Sequence, residues 1–274
     1  MITRGIMYLL ELALAGSALL AGTAAVLGAW RLKVYRGLRE AQTEILRIAS
    51  AHPGMVAPRL SLPSFDDRLA TLDVVLPKET FWAIEAEVAR LQITERSYVP
   101  THKKGGTVAY ETLCEAAPNI VGLYLSPQLH GLISRIVGEP VVPTPLHDQS
   151  SCSVLFYERP GDHIGWHFDY NFYRGRHFTV LLPIVNRNAA GDGLSAARLI
   201  VRVANGERTI ATPPNSLVVF EGALVEHKAT PIGEGERRVV LSMTFATDPS
   251  NSLLQGIARR IKDTAFFGIR ALWT

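Results

Sequence analysis

Six short β-rich runs in the second half of the chain constrain its fold more than any other feature. They are Ser151–Glu158, His177–Val185, Leu199–Ala204, Arg208–Ala211, Ser216–Glu221 and Arg238–Ala246. Clusters of Gly, Pro, Asn and Asp separate them, as in residues 188–193 and 213–215, and such clusters are typical of turns. Strands this short and this regularly spaced predict a closed or double-sheet antiparallel β architecture.

The residues before these runs alternate between helical and extended patterns. Apolar residues at helical spacing predict helices over Pro77–Leu91 and Ser126–Val137, and Leu72–Leu76 has the composition of a strand. Residues 97–112 contain Lys, Gly and Thr without a clear period, and they predict an irregular loop. The expected fold class is therefore mainly β with flanking helices (α+β).

Residues 12–30 carry no charged side chain and are long enough to cross a membrane. As a helix this run is about 28 Å long, close to the hydrocarbon thickness of a bilayer. The chain as a whole has a mean hydropathy of +0.14, and the apolar residues that raise this value are concentrated here. We expect an N-terminal transmembrane helix; a cleaved signal peptide and a buried Ala-rich core helix are the alternatives.

The charges on either side of this run predict its orientation. A single basic residue, Arg4, precedes it, whereas four basic residues follow closely: Arg31, Lys33, Arg36 and Arg39. Because basic flanks stay on the cytoplasmic side, we expect a single-pass membrane protein whose main domain lies in the cytosol. Cys114 and Cys152 lack the number and spacing of a disulfide framework or a zinc site, which favours the same compartment.

The two ends of the chain add helical segments to the β-rich part. Residues 31–50 can continue the apolar helix until His52-Pro53-Gly54 ends it. Residues 251–274 return to helical spacing with basic residues among them, which fits a helix packed on the barrel or one lying on a membrane surface. We expect four parts: 1–30 (tail and transmembrane helix), 31–60 (juxtamembrane helix and linker), 61–250 (main domain) and 251–274 (C-terminal amphipathic basic helix).

The formal net charge of the chain is +3. Most of the local basic excess lies beside the apolar run, so no nucleic-acid partner is expected.

A histidine and an aspartate two residues apart form the first candidate site. In residues 165–169 an extended backbone would direct His167 and Asp169 to the same face. His227 follows a hydrophobic strand and its turn, so it can reach the mouth of the same barrel. Two histidines and one carboxylate are the ligand set of non-haem Fe(II) oxygenases. An arginine that begins the next strand, Arg237 or Arg238, can pair with a dicarboxylate.

Together these motifs resemble the 2-oxoglutarate- and Fe(II)-dependent oxygenases, in particular those similar to prolyl 4-hydroxylases. The resemblance covers roughly Asp73–Asp248, and its specific part is the spacing Tyr157-x3-Gly161-x5-His167-x-Asp169, then His227-x3-Pro231-Ile232-x2-Gly235, then the arginine. It implies a double-stranded β-helix (jelly-roll, cupin-like) dioxygenase domain over residues 61–250. It also implies Fe(II) ligands at His167, Asp169 and His227, and 2-oxoglutarate contacts from Tyr157 and from Arg237 or Arg238.

Strand alternation favours one of the two arginines. Arg238 shares a strand face with Val240, Ser242 and Thr244, whereas Arg237 shares one with Val239, Leu241 and Met243. A barrel interior that holds a polar cosubstrate should present the small hydroxyl groups. We therefore expect Arg238 to bind the 2-oxoglutarate carboxylate, with Arg237 as the second choice.

The predicted activity follows from the resemblance. A membrane-anchored dioxygenase would use 2-oxoglutarate and O₂ to hydroxylate an unactivated C–H bond of a peptidyl residue, a lipid or a membrane-associated small molecule, releasing succinate and CO₂. Related halogenases lose the carboxylate ligand to chloride; Asp169 is present here, so hydroxylation is expected. Candidates for the substrate mouth are Asn171, Tyr173 and Arg176. The alternative is a non-catalytic metal-binding β-barrel that acts as a sensor or binding module.

Overall fold

The β-rich half of the chain forms one curled antiparallel sheet. The computed structural model describes residues 2–50, 55–57, 61–99 and 102–268. Its strands are β1 (Leu69–Leu72), β2 (Glu95–Val99), β3 (Lys103–Val108), β4 (Val142–Pro143), β5 (Cys152–Tyr157), β6 (His163–His167), β7 (His177–Arg187), β8 (Leu199–Val203), β9 (Gly206–Ile210), β10 (Leu217–Phe220), β11 (His227–Ala229) and β12 (Arg237–Ala246).

The order of the strands shows how the sheet curls. Neighbours follow the order β1-β10-β7-β12-β5-β3-β6-β11-β8-β9, with β2 beside β3 and β4 beside β12. The strands β5, β7 and β12 form one wall of an interior cavity, and β6, β8 and β11 form the other. With helices on the outer face of the first wall, the fold is mainly β with flanking helices, as the sequence predicted.

Alternation along β12 separates the apolar core from the interior of the barrel. One face lies fully buried in the largest apolar cluster and consists of Val239, Leu241, Met243 and Phe245. The other face lines the cavity and consists of Arg238, Val240, Ser242 and Thr244. Successive side chains of a strand point to opposite faces, so one strand both anchors the sheet on the helices and supplies polar groups to the interior.

Helices flank the sheet and close one end of it. They are α1 (Ile2–Ser50), α2 (Lys78–Arg90), α3 (Tyr110–Ala116), α4 (Pro118–Leu125), α5 (Pro127–Val137) and α6 (Leu253–Phe267). The α5 helix begins where Ser126 accepts the Leu129 N–H, and it ends at Gly138, whose φ of 78° is in the left-handed region that favours glycine. A capping box formed by Ser252 and Gln255 starts α6.

The two halves of α1 have different surroundings. The C-terminal half packs on α3 and α4, where Leu38 and Ile45 are buried. The N-terminal half leaves Leu14 and Leu20 exposed, at 66% and 74%. Leu14–Arg47 is long and apolar enough to cross a membrane, and its most apolar window is not buried. The expected apolar helix is therefore present, and residues 31–50 continue it without a break.

The prediction of an irregular loop over residues 97–112 is wrong. The strands β2 and β3 form a hairpin there, and α3 begins at Tyr110. Gly105 and Gly106 resemble turn residues in the sequence, but they serve close packing: a Cβ at Gly106 would lie 2.7 Å from the side chain of Ile93. The expected strand Leu72–Leu76 instead ends at Leu72, and the expected helix break at residues 52–54 lies outside the described residues.

The C-terminal helix packs on the barrel. Arg259, Asp263 and Phe267 of α6 are buried. The opposite face of the helix exposes Leu253 and Leu254, at 83% and 77%. Of the two expected placements, the structure shows the one on the barrel and leaves an apolar face uncovered; residues 269–274 lie outside the described part of the chain.

Candidate active site

A cavity of about 1010 Å³ lies between the two walls of the curled sheet. The α6 helix lies across one end of it and contributes Ile261, Lys262 and Phe266 to its lining. Charged and polar groups are concentrated in three places: the ends of β6 and β11, the start of β12, and the end covered by α6. A cavity of this size with a few convergent polar groups is typical of a small-molecule site.

His167, Asp169 and His227 converge at the first of these places. One ligand atom from each residue lies within 4.8 Å of the others. The Nε2 atom of His167 is 3.6 Å from Oδ1 of Asp169, and the Nε2 atom of His227 is 3.8 Å from Oδ2. The two histidines are paired across β6 and β11, so neighbouring strands bring the imidazoles together.

Backbone carbonyls orient both imidazoles. The Nδ1 atom of His167 lies 2.8 Å from the Gly165 carbonyl oxygen, and that of His227 lies 3.0 Å from the Val225 carbonyl oxygen. Because a carbonyl can only accept, each Nδ1 carries the hydrogen and each Nε2 presents a lone pair to the centre. Burial lowers the pKa of His167, and the neighbouring imidazole lowers it further. A neutral imidazole is the form that binds a metal.

Asp169 is held from two sides. The Thr179 hydroxyl donates to its Oδ2 atom at 2.6 Å, and its own N–H donates to the Gly222 carbonyl oxygen at 3.0 Å. Burial opposes ionisation, but His227, His167 and the Thr179 hydroxyl outweigh it and lower the pKa of the carboxyl group. A Cβ at Gly222 would lie 2.7 Å from both the Asp169 Cβ and the Thr179 Oγ1, so this close approach requires glycine.

Arg238 is a buried cation with unused hydrogen-bond donors. It is 2% exposed, and its Nε and Nη1 atoms have no partner among the described residues. Its Nη2 atom makes only a long contact of 3.5 Å with the Thr212 hydroxyl. The Tyr157 ring lies 5.6 Å from the guanidinium carbon, and burial raises the pKa of this tyrosine to about 12. An unpartnered buried guanidinium is costly, so the arrangement fits an anionic ligand that enters the cavity.

Arg237 has a different environment. Its Nε atom donates to Oε1 of Glu158 at 2.8 Å on the outer surface, and it does not line the cavity. Strand alternation therefore places only Arg238 in the interior.

The three residues proposed for the substrate mouth occupy different places. Asn171 lines the cavity. The Tyr173 hydroxyl donates to the buried Asp148 carboxylate, and Arg176 pairs with Glu221 at 2.8 Å. Neither Tyr173 nor Arg176 is among the lining residues; the contacts of both tie the loop after the metal-ligand candidates to the barrel.

The end of the cavity under α6 contains charged residues that the sequence did not single out. Lys103 at the start of β3 and Lys262 of α6 both line it. The Lys262 ammonium donates to the Ser150 hydroxyl at 2.6 Å and lies 2.9 Å from Asp263 and 3.6 Å from Asp148. These neighbours come together only because α6 folds back over the barrel, and no local motif signals that.

Comparison with solved structures identifies the fold. A structure from Burkholderia pseudomallei, described as an oxidoreductase of the 2OG-Fe(II) oxygenase family, matches at 14% identity with a TM-score of 0.53, over 69% of this chain and 89% of its own. The chain has the 2-oxoglutarate/Fe(II) oxygenase fold. The epimerase SnoN from nogalamycin biosynthesis, solved with Fe³⁺, alpha ketoglutarate and nogalamycin RO, matches this oxygenase fold at 13% identity with a TM-score of 0.53, over 66% of this chain and 79% of its own.

Two further matches come from a solved structure and from a family profile. A prolyl-4-hydroxylase from Pseudomonas putida matches at 20% identity with a TM-score of 0.46, over 65% of this chain and 92% of its own. A family profile described as Halogenase D matches residues 64–176. A search of curated proteins finds no match. The predicted oxygenase fold is confirmed.

Proposed function

We propose that the chain is a 2-oxoglutarate-dependent Fe(II) dioxygenase that hydroxylates an unactivated C–H bond. The observation that carries this proposal is the presence, in one cavity, of the His167–Asp169–His227 cluster and of Arg238, a buried cation with two nitrogen atoms that have no partner among the described residues. Two neutral imidazoles and a carboxylate are the donor set of a mononuclear non-haem iron site. The buried guanidinium supplies the counter-charge that a dicarboxylate cosubstrate needs.

Each residue of this site has a separate task in the proposal. Bound Fe(II) and 2-oxoglutarate, with O₂, supply the oxidising chemistry and release succinate and CO₂. The two Nε2 atoms and Asp169 hold the metal, and Thr179 orients the carboxylate. Arg238 and Tyr157 hold the far carboxylate of the cosubstrate. The apolar walls exclude water and position the substrate.

Asp169 favours hydroxylation over halogenation. The profile that matches residues 64–176 is described as a halogenase, and this segment contains both His167 and Asp169. In halogenases related to the family that the motifs resemble, the carboxylate is absent and a halide takes its position. The Thr179 hydroxyl fixes the carboxylate here, and the Gly222 carbonyl oxygen accepts from the Asp169 N–H, so that position is filled. The proposed product is therefore an alcohol.

We also propose that α1 anchors the enzyme to a membrane as a single pass, with the catalytic domain on the cytosolic side. The exposed leucines of its N-terminal half and the basic residues that follow Trp30 support this. The exposed Leu253 and Leu254 of α6 form a second apolar surface. The chain would then consist of an anchor (1–30), a juxtamembrane segment (31–60), a dioxygenase domain (61–250) and a C-terminal helix (251–274).

The test of the proposed activity uses the full chain. Fe(II) and 2-oxoglutarate, added without oxygen, should give the weak visible charge-transfer band of the chelate, and admission of air should yield succinate. His227→Ala, with its circular dichroism unchanged, should give neither. A wild-type protein that binds Fe(II) but shows no band and forms no succinate would establish the non-catalytic metal-binding module instead.

The proposed anchor has its own test. In membranes from cells that make the protein, the full chain should resist alkaline extraction, whereas a chain that begins at residue 31 should be released. A protease added to the cytosolic face should digest the catalytic domain. Protection of that domain would contradict the proposed orientation.

A further inference from the structure

A second buried cation faces the cavity besides Arg238. Lys103, the first residue of β3, is 5% exposed and lines the cavity. Its Nζ atom donates to the Thr107 hydroxyl at 3.2 Å, and the centre of the Phe266 ring lies 5.1 Å away. An ammonium group has three donors, and these two neighbours offer it no opposite charge.

No carboxylate among the described residues compensates Lys103. Burial lowers the pKa of its ammonium group to about 8, the nearby Lys262 cation acts in the same direction, and no acidic group opposes them. Burying a cation without a counter-charge costs free energy. Lys103 occupies an interior position of β3 where an apolar residue would avoid this cost. A bound anionic ligand would supply the negative charge that the described residues do not.

The other charges at this end of the cavity balance one another. Lys262 lies 2.9 Å from Asp263 and 3.6 Å from Asp148, and Arg259 lies 2.6 Å from Asp263. Two cations therefore meet two carboxylates. Lys103 remains as an excess positive charge.

The charges around the metal-ligand candidates and Arg238 do not offset the positive charge of Lys103. A divalent iron with Asp169, and a doubly charged 2-oxoglutarate with Arg238, would together carry no net charge. Glu226 also lines the cavity, but Arg202 pairs with it at 2.5 Å. The loaded cavity would therefore retain one positive charge, on Lys103. The Phe266 ring, 5.1 Å from the Lys103 Nζ atom, lies 6.3 Å from the ring of His102, and that ring lies 5.6 Å from the ring of His167.

The space around Lys103 is mostly apolar and too large for the cosubstrate alone. The cavity of about 1010 Å³ is at the upper end of drug-sized ligand sites. Apolar side chains from both walls and from α6 line it: Leu155, Ile164, Trp166, Leu199 and Phe266. A ligand that fills it needs a substantial hydrocarbon or ring system in addition to any charged group.

We propose that Lys103 binds the carboxylate or phosphate group of an amphipathic substrate whose apolar part occupies the rest of the cavity. This inference rests on the proposed function and specifies its substrate class. The same anionic chemistry could come from a carboxylate of 2-oxoglutarate, and the experiment separates these two sources.

The test measures binding of matched eight-carbon probes to the full chain in lipid nanodiscs. Octanoate, octyl phosphate and octan-1-ol are titrated by calorimetry at about pH 7, where a lysine of pKa about 8 is charged, and heats from empty discs are subtracted. The test variant is Lys103→Met. The control is Lys104→Met, which removes the neighbouring lysine, whose Nζ atom donates to the Pro160 carbonyl oxygen at 2.8 Å.

The wild-type protein should bind octanoate and octyl phosphate at least about tenfold more tightly than octan-1-ol, a difference of about 1.4 kcal/mol. Lys103→Met should abolish this preference, Lys104→Met should keep it, and Lys103→Arg should retain most of it. The proposal is overturned if the alcohol binds the wild type as well as the anions do, if no anionic probe binds, or if both methionine variants behave alike.

A second measurement on the same proteins separates the two sources of the anion. Titration of 2-oxoglutarate into the anaerobic Fe(II) protein, followed by the visible band, should give the same affinity for Lys103→Met as for the wild type. A large loss of 2-oxoglutarate affinity would assign Lys103 to the cosubstrate and overturn the proposal. If the band is absent from every protein, the proposed function fails, while the probe titrations still decide whether Lys103 is an anion site.

Discussion

The two ends of the cavity bury their cations in opposite ways. At the β12 end, Arg238 has two nitrogen atoms without a partner among the described residues. At the α6 end, Lys262 and Arg259 share Asp148 and Asp263 at ion-pair distances. The Arg238 arrangement needs a ligand to complete it, whereas the cluster of Lys262, Arg259, Asp148 and Asp263 is completed by the chain itself. Lys103, at the same end as this cluster, resembles Arg238 in having no carboxylate partner among the described residues.

This difference separates cations that bind a ligand from cations that stabilise the fold, within one cavity. Charge and burial alone do not mark a binding site, because the α6 end has both. The absence of a partner does, because an uncompensated buried charge is expensive and a bound anion removes the cost. Mutation of Arg238 should therefore change ligand affinity, and mutation of the paired Asp148 or Asp263 should change stability.

The largest expected effect is on the metal-ligand candidates. Asp169→Ala and His227→Ala should each reduce succinate formation by at least about a thousandfold, because removal of one ligand from a three-residue site removes the metal. The free energy of unfolding should stay within about 1 kcal/mol of the wild-type value. Iron content and thermal melting are the measurements. A variant that melts at a lower temperature but still forms succinate would show that the residue acts in stability rather than in metal binding.

At the α6 end, Asp263→Asn should chiefly affect stability. The change leaves Arg259 and Lys262 with one carboxylate fewer, and breaking a buried ion pair from one side costs about 3 kcal/mol. The free energy of unfolding should fall by that amount, while 2-oxoglutarate affinity stays unchanged. Asp73→Asn, at an exposed position, is the control. A selective loss of 2-oxoglutarate binding would show that the two ends are not separate.

At the β12 end, Arg238→Met should weaken 2-oxoglutarate binding about thirtyfold, because charge-assisted hydrogen bonds to one carboxylate contribute about 2 kcal/mol. The variant should be no less stable than the wild type, since it removes an unpaired buried cation. Arg237→Met, which breaks only a surface pair with Glu158, should change the affinity less than twofold. Titration of the visible band checks both variants. Equal losses of 2-oxoglutarate affinity would contradict the assignment of Arg238, rather than Arg237, to the interior face of β12.

The smallest expected effect is a dependence of stability on pH at the α6 end. Burial opposes ionisation of Asp148, but Lys262 and Arg259 outweigh it and lower its pKa to about 2. Because this value is below the unfolded pKa of about 3.9, the contribution is complete above that pH and is lost as the pH falls towards 2. It should amount to 1–2 kcal/mol, on the order that such a shift implies.

The measurement is acid denaturation of wild type and Asp148→Asn. The variant should be less stable at neutral pH, and its stability should change less between about pH 4 and pH 2. Parallel curves for the two proteins would show that this carboxylate does not titrate as its surroundings indicate.

The parts of the site that the sequence predicted are those fixed by local geometry. The close spacing of His167 and Asp169, and the alternation along β12 that directs Arg238 inward, depend on a few consecutive residues. The third member, His227, was predicted from its position after a hydrophobic strand and from the family resemblance, and the structure pairs it directly with His167. These residues could be named because strand geometry repeats every two residues.

The parts that the sequence missed depend on contacts between distant segments. Lys103 lay in a segment predicted to be a loop, because glycines that pack against Ile93 and the β5 strand resemble turn glycines. Thr179 supports Asp169 only because β7 meets the loop that precedes it. Lys262 reaches the cavity because α6 returns across the barrel. Tertiary packing overrides local preference at each of these positions.

The continuity of α1 has a mechanical consequence if its N-terminal half spans a bilayer. The helix runs from Ile2 to Ser50 without a break, and its C-terminal half is packed on α3 and α4. A continuous helix packed in this way would fix the height and tilt of the cavity above the lipid surface. The enzyme would then search for substrate by lateral diffusion in two dimensions, with its cavity mouth held at a constant angle to the membrane plane.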